Sequence, residues 1–345
     1  MGRDRRATDE TEKEGRRVLL TIDIGNTQTV LGLFSGDQLD HTWRIATYDT
    51  RTADELAVLI SSLLSQDPNK VVGAVSGVSL CSTVPAALHE MRLMCSKYYA
   101  DLPVVVVEPG VRTGVPILTD NPKEVGSDRI INSLAAATHF GGPAIVVDFG
   151  TATTFDAVSR KGEYIGGAIA PGIEISVEAL GARGAQLRKV ELARPRSVIG
   201  RNTVEALQSG ILYGFAGQVD GIVHRMASEL ADDPNEVTVI ATGGLAPLVL
   251  EEAETIDAHD PWLTLRGLKL VFDRNRMVSE PLSAKDPAPP ANLPAATTQE
   301  PAKAGNEPAK AAQEPAKAAQ EPASTATPPA PTTPLPSARR TPSSL

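Results

Sequence analysis

The stretch Ala144–Val158, AIVVDFGTATTFDAV, decides how the rest of the chain is read. Apolar residues run into an acid, Asp148, followed by a phenylalanine, a glycine and a cluster of threonines. An apolar run bounded by a turn signal suits a buried strand, and a glycine after the acid lets the backbone turn tightly and approach a ligand closely. An earlier segment, Val18–Phe34 (VLLTIDIGNTQTVLGLF), repeats the pattern: Asp23-Ile-Gly-Asn-Thr-Gln-Thr29 aligns with Asp148-Phe-Gly-Thr-Ala-Thr-Thr154. After each glycine comes a short run rich in strand formers, Thr29–Phe34 and Thr153–Val158, so both copies read as strand-turn-strand hairpins. A dinucleotide fold would open a helix there with G-x-G-x-x-G, and a P-loop needs G-x-x-x-x-G-K-[ST]; the sequence has neither. Two facing hairpins of this kind can hold phosphate oxygens on backbone N–H groups and threonine hydroxyls, while Asp23 and Asp148 can hold the cation that phosphates require. The matched pair implies a duplication.

Working outward, the 345 residues allow two domains, and a net charge of -9 argues against an intrinsic nucleic-acid binder, whose footprint is basic. Cys81 and Cys95 stand at no metal or redox spacing and read as buried, reduced thiols of a cytoplasmic protein. No apolar stretch approaches the roughly 18 residues of a membrane span. The segment before residue 17 mixes arginines with acids, lacks an apolar core and reads as a disordered extension rather than a secretory signal.

The spacing predicts a strand over Leu39–Ala46 and a helix over Thr52–Ser65, opened by a capping box between Thr52 and Glu55. It predicts a strand over Val71–Val75, a helix over Pro85–Tyr99 with proline at its start, and a strand over Pro103–Val107. A Gly/Pro-rich connection then leads to a helix carrying Ile130, Ile131, Leu134 and Ala137, with Asp128 and Arg129 in its opening turn, where the backbone dipole favours an anion. The second half repeats the plan, with strands at Tyr164–Ala170 and Val237–Ala241, helices around Glu174–Leu180 and Val204–Leu230, and a last element ending near Arg274. Gly243-Gly244 can bring backbone close to a flat ligand such as adenine. Beyond Val278, Pro, Ala, Thr and Ser dominate around a seven-residue repeat, Gln299-Glu-Pro-Ala-Lys303 and its copies; proline in every unit forbids a coiled coil, so a disordered tail is expected. The expected layout is therefore an extension over 1–16, a first half over 17–120, a second half over 121–278 and a tail over 279–345.

Paired acid-containing hairpins resemble the acetate and sugar kinase, Hsp70 and actin superfamily. That resemblance implies an α/β fold of duplicated actin-like (ribonuclease H-like) domains, each a mixed sheet flanked by helices. Further segments narrow it: Asn121-Pro-Lys-Glu-Val-Gly-Ser-Asp-Arg129, Gly166-Gly-Ala-Ile-Ala-Pro-Gly-Ile173, Gly200-Arg-Asn-Thr203 and Thr242-Gly-Gly244 are similar, in the same order, to the motifs of the type III pantothenate kinases. The resemblance implies ATP-dependent phosphorylation of pantothenate, the first step of coenzyme A synthesis. It implies Asp128 as catalytic base; Asp23, Ile24, Gly25, Asn26, Thr27, Gln28, Thr29, Val30 and Thr151 at ATP; and Gly126, Ser127, Asp128, Arg129 and Thr203 at pantothenate, Thr203 from the neighbouring subunit of a homodimer. Asp148 would hold a monovalent cation, K+ or NH4+, and Mg2+ would accompany ATP. Arginine's planar fork suits the carboxylate of pantothenate. The chain departs from the family at Thr119, where a tyrosine is common, at Gln186-Leu187-Arg188, where Lys-Leu-Pro is frequent, and at Arg201, where lysine is.

Overall fold

The computed structural model describes residues 18–66, 75–183 and 190–276. The expectations for the N-terminal extension, the repeat-bearing tail and Gln186-Leu187-Arg188 lie outside the described residues. Both halves open with the hairpin read from the sequence. In the first, β1 (Val18–Ile24), β2 (Gln28–Ser35) and β3 (Gln38–Ala46) form an antiparallel meander in which Asp23 is paired with Val30 and Ile24 with Thr29. Two strands, β4 (Val75–Ser82) and β5 (Val104–Val106), add in parallel on the other side of β1. Parallel neighbours need crossovers, and α1 (Ala53–Ser65) and α2 (Pro85–Tyr98) lie within them. In the second half β6 (Ala144–Phe149), β7 (Ala152–Val158) and β8 (Tyr164–Pro171) form the meander, and β9 (Thr238–Thr242) and β10 (Ala258–His259) add in parallel.

The two sheets have the same order, β3-β2-β1-β4-β5 and β8-β7-β6-β9-β10. The repeat seen in two short segments is thus a repeat of the whole sheet topology.

Local signals act as expected. Thr52 caps α1 with the reciprocal Glu55 bonds of a capping box, and Pro85 occupies the first turn of α2. Of the strand predicted over 71–75, residues 71–74 lie outside the described residues, and the described strand, Val75–Ser82, runs seven residues beyond the predicted end. Its alternating serines and glycine hide it from an apolar-run reading. They serve packing instead, since Ser79 Oγ donates to the Leu268 carbonyl at 2.9 Å, and a Cβ on Gly77 would meet the Phe272 ring at 2.2 Å.

Side-chain alternation along β1 and β6 builds the layers. Leu20, Ile22 and Ile24 face a core closed by Ile60 of α1 and Met91 and Met94 of α2, while Leu19 faces the opposite core. That second core is filled by α3 (Ser127–His139) and α7 (Leu263–Asn275), through Ile131, Leu134, Leu268 and Phe272. In β6, Ile145 and Val147 face α5 (Thr203–Leu230), and Ala144 and Val146 face Ala135 and Ala136 of α3. The helices α3 and α7 cross closely: a Cβ on Gly267 would lie 2.3 Å from Ile131 Cγ2. Asp23 is in phase with Leu19, and Asp148 with Ala144 and Val146, so both acids project toward the α3/α7 side of their sheets. Two shorter helices complete the second half, α4 (Ile173–Arg183) and α6 (Ala246–Val249). No described helix is long and apolar enough to cross a membrane. Both cysteines are buried and free, as expected.

Candidate active site

A cavity of about 360 Å³ lies where the two hairpin turns meet. The hydroxyls of Thr27 and Thr151, one from each turn, are 3.4 Å apart. Each turn is closed by its glycine: the Gly25 N–H donates to Gln28 O and, in a turn one residue shorter, the Gly150 N–H to Ala152 O, each at 3.0 Å. Of the residues expected at ATP, Asp23, Gly25, Asn26, Thr27, Gln28, Val30 and Thr151 line the cavity. Ile24 and Thr29 do not; Ile24 is packed in the first core, and buried Thr29 shares a 2.8 Å hydroxyl bond with Thr47.

Four carboxylates line the cavity: Asp23, Asp128, Asp148 and, from α4, Glu174. Asp128 sits in the first turn of α3, as predicted, and its side chain folds back over Gly126, where a Cβ would stand 2.4 Å from Oδ1. Burial raises the Asp128 pKa, opposed by the Arg129 backbone N–H and its positive side chain. Asp148 is pushed up to about 7 by burial and by the charges of Asp128, Asp23 and Asp156, and Asp23 to about 6 by burial and then by Asp128. Each has one fixed partner: Asn132 Nδ2 donates to Asp148 Oδ2 at 3.1 Å, and Cys81 Sγ to Asp23 Oδ1 at 3.3 Å. Asn132 in turn accepts from Thr264 of α7 at 2.8 Å, which ties both interlayer helices to the acid. Gly243 has φ +89°, and a Cβ there would lie 2.5 Å from Asp148 Oδ1, so only glycine fits between the end of β9 and the carboxylate.

Arg129 is next to Asp128 in the helix but does not line this cavity. Its Nε donates to buried Asp156 at 2.6 Å, its guanidinium lies 5.6 Å from the centre of the Tyr164 ring, and its buried Nη2 has no partner among the described residues. A Cβ on Gly167 would stand 2.9 Å from that nitrogen. The guanidinium is thus anchored at one edge and carries a buried N–H group without a described partner at the other. Gly126 and Ser127, the cap and first residue of α3, are half-buried beside it in sequence and also lie off the cavity wall. Thr203 is exposed at the first residue of α5 and stands apart from the cavity lining. The cap of that helix is Asn202, whose Oδ1 accepts from the Glu205 N–H at 3.0 Å.

Sequence reasoning missed Asn132, Arg44, Trp262 and Glu174. Asn132 had a signal, a polar residue one helical turn after Asp128 on an otherwise apolar helix face. Arg44 and Trp262 come from distant segments and had none.

Comparison with known proteins decides the family. The sequence profile of the type III pantothenate kinases matches residues 19–225. The type III pantothenate kinase of Streptomyces coelicolor is 68% identical over 261 residues, covering 75% of this chain and 98% of its own length. The chain belongs to the type III pantothenate kinase family. The pantothenate kinase of Thermobifida fusca is 64% identical over 258 residues, covering 75% of this chain and 100% of its own. Among solved structures, the activator of 2-hydroxyisocaproyl-CoA dehydratase from Clostridium difficile with bound ADPNP aligns over 75% of this chain and 96% of its own, at 13% identity and a TM-score of 0.45. A pantothenate kinase is a phosphotransferase with an alcohol acceptor, and the duplicated pair of helix-flanked mixed sheets is the actin-like architecture expected from the hairpins.

Proposed function

We infer that the chain transfers the γ-phosphoryl group of ATP to the terminal hydroxyl of pantothenate, giving 4'-phosphopantothenate for coenzyme A synthesis, and we propose the following roles. The turns at Asp23–Val30 and around Thr151 hold the ATP phosphates through backbone N–H groups and threonine hydroxyls. Asp128 takes the proton of the acceptor hydroxyl as its oxygen bonds to phosphorus and the bond to ADP breaks; its raised pKa makes it a better base than a solvated carboxylate. The observation that carries this reading is that Asp128 opens onto the same cavity as both hairpin turns.

Gly126, Ser127 and Arg129 bind the acceptor, with the unpaired Nη2 of Arg129 donating to its carboxylate. Asp148 holds a monovalent cation, K+ or NH4+, and Mg2+ accompanies ATP. The donors fit such ions: the charges of Asp128, Asp23 and Asp156 all push the Asp148 pKa up, a repulsion that a cation held there would relieve. These ions neutralise charge on the transferred group.

We also propose a homodimer in which Thr203 of one subunit completes the acceptor site of the other. Support comes from exposed apolar side chains in this half: Ile165 and Ile169 on β8, which ends its sheet, Ile175 on α4, and Ile199 and Val204 near Thr203 in sequence. Substrates that are soluble metabolites and two reduced thiols fit the cytoplasm.

The test is ADP release with ATP, Mg2+ and pantothenate, comparing K+ with Na+ and wild type with Asp128→Asn. Turnover that requires K+ and falls about 10²- to 10⁴-fold in the variant, with little change in either KM, is the expected result. Undiminished turnover by Asp128→Asn would remove Asp128 as the base.

A further inference from the structure

Arg44 has no place in the roles above, yet it is the one cationic side chain lining the cavity among the described residues, facing Asp23, Asp128, Asp148 and Glu174. It stands on β3, paired in register with Val30 of the first hairpin. Its exposed side chain leaves the first sheet and reaches elements of the second half. The guanidinium lies 5.6 Å from the centre of the Trp262 ring, and its Nη1 is 3.0 Å from where a Cβ on Gly244 would stand. Gly243, the preceding residue, lies against Asp148. The cation is therefore held over the acid end of the cavity by an aromatic ring and a side-chain-free turn, and it forms no ion pair with a described carboxylate.

Charge decides what such a group is for. A nucleoside triphosphate entering this cavity meets four carboxylates, and only Arg44 among the lining side chains offsets them. Trp262 supports the guanidinium while leaving its N–H edges free to donate. We propose that Arg44 is a nucleotide-binding residue whose guanidinium, braced on Trp262 and Gly244, donates to the polyphosphate of ATP and ADP. Because it spans both halves of the cleft, its engagement also couples nucleotide occupancy to the environment of Trp262. This inference rests on the reading of the cavity as the ATP site.

The chain has two tryptophans, Trp43 and Trp262, so a Trp43→Phe background makes Trp262 emission the reporter. In that background, ADP and adenosine are titrated against otherwise wild-type, Arg44→Ala and Arg44→Lys proteins, by fluorescence and by calorimetry. The expected result is an ADP Kd raised about 10- to 100-fold in Arg44→Ala, less in Arg44→Lys, with adenosine binding unchanged. In turnover, the KM for ATP rises and that for pantothenate does not. ADP binding by Arg44→Ala equal to that of its parent would overturn the role of Arg44 and leave the cavity's reading intact. Failure of the parent protein to bind ADP would overturn the reading of the cavity itself, and this inference with it.

Discussion

Replacing Asp156 by asparagine tests how the acceptor site is built. Asp156 is fully buried on β7; Oδ1 accepts from Arg129 Nε at 2.6 Å and Oδ2 from Thr154 Oγ1 at 3.2 Å. Removing one charge of a buried pair costs about 3–5 kcal/mol, because the other charge stays behind uncompensated. Asparagine keeps an acceptor for Nε, and the Arg129 side chain retains 14% of its exposure, so the expected loss is smaller, about 2–3 kcal/mol. At roughly 2–4 °C per kcal/mol for a body of this size, Tm falls by roughly 4–12 °C. The functional effect is selective. With its anchored edge loosened, the guanidinium no longer presents Nη2 in one orientation, so KM for pantothenate rises about tenfold while KM for ATP is unchanged, a loss equivalent to about 1.4 kcal/mol. Differential scanning calorimetry and initial-rate kinetics read the two effects. A double variant with Arg129→Met should unfold at a smaller cost than the sum of the singles, since the stranded charge is gone. A melting point within about 1 °C of wild type together with an unchanged pantothenate KM would refute the reasoning.

Other expectations follow from the same geometry. If Thr203 serves the partner's site, mixing inactive Asp128→Asn and Thr203→Val proteins and allowing subunit exchange restores roughly a quarter of wild-type activity, because each mixed dimer carries one intact site; no recovery in exchanged dimers would place Thr203 elsewhere. Burial and then neighbouring carboxylates raise Asp23 to about 6 and Asp148 to about 7 from 3.8, so their protonated forms favour the folded state. That stabilisation is full below about pH 4 and is lost as pH rises through 6 and 7. Added K+ or Mg2+ should therefore raise Tm more at pH 8 than at pH 5.5, and an equal rise at both would contradict it. Gly243→Ala forces a side chain into positive φ and against Asp148, so a loss of about 2–4 kcal/mol and weakened ADP binding are expected from urea melts and calorimetry.

Much of the fold was legible because its signals are local. The hairpins announce themselves through strand formers on either side of a glycine turn, and the same acid-x-glycine pattern in two places carries the duplication. Thr52 and Glu55 mark a helix start within four residues, and Asp128 is placed in the opening turn of α3 by the apolar spacing that follows it. The strand β4 was not legible, since Gly77 and Ser79 were selected by a helix that arrives about 190 residues later: Phe272 needs the glycine's empty space and the Leu268 carbonyl takes the serine's proton.

The sequence by itself determined the two glycine turns, the acids that end their first strands, the place of Asp128 at the start of α3 and the family. Period-two alternation even carries which face of each strand Asp23 and Asp148 occupy. Only the tertiary structure decided what those acids meet. Asn132 and Thr264 converge on Asp148 from two helices, Arg129 is turned by Asp156 from a strand 27 residues away, and Arg44 reaches Trp262 across the cleft. The physical reason is that backbone propensity acts over a few neighbouring residues, whereas charge compensation inside a cleft depends on side chains brought together by packing, which one-dimensional spacing does not encode.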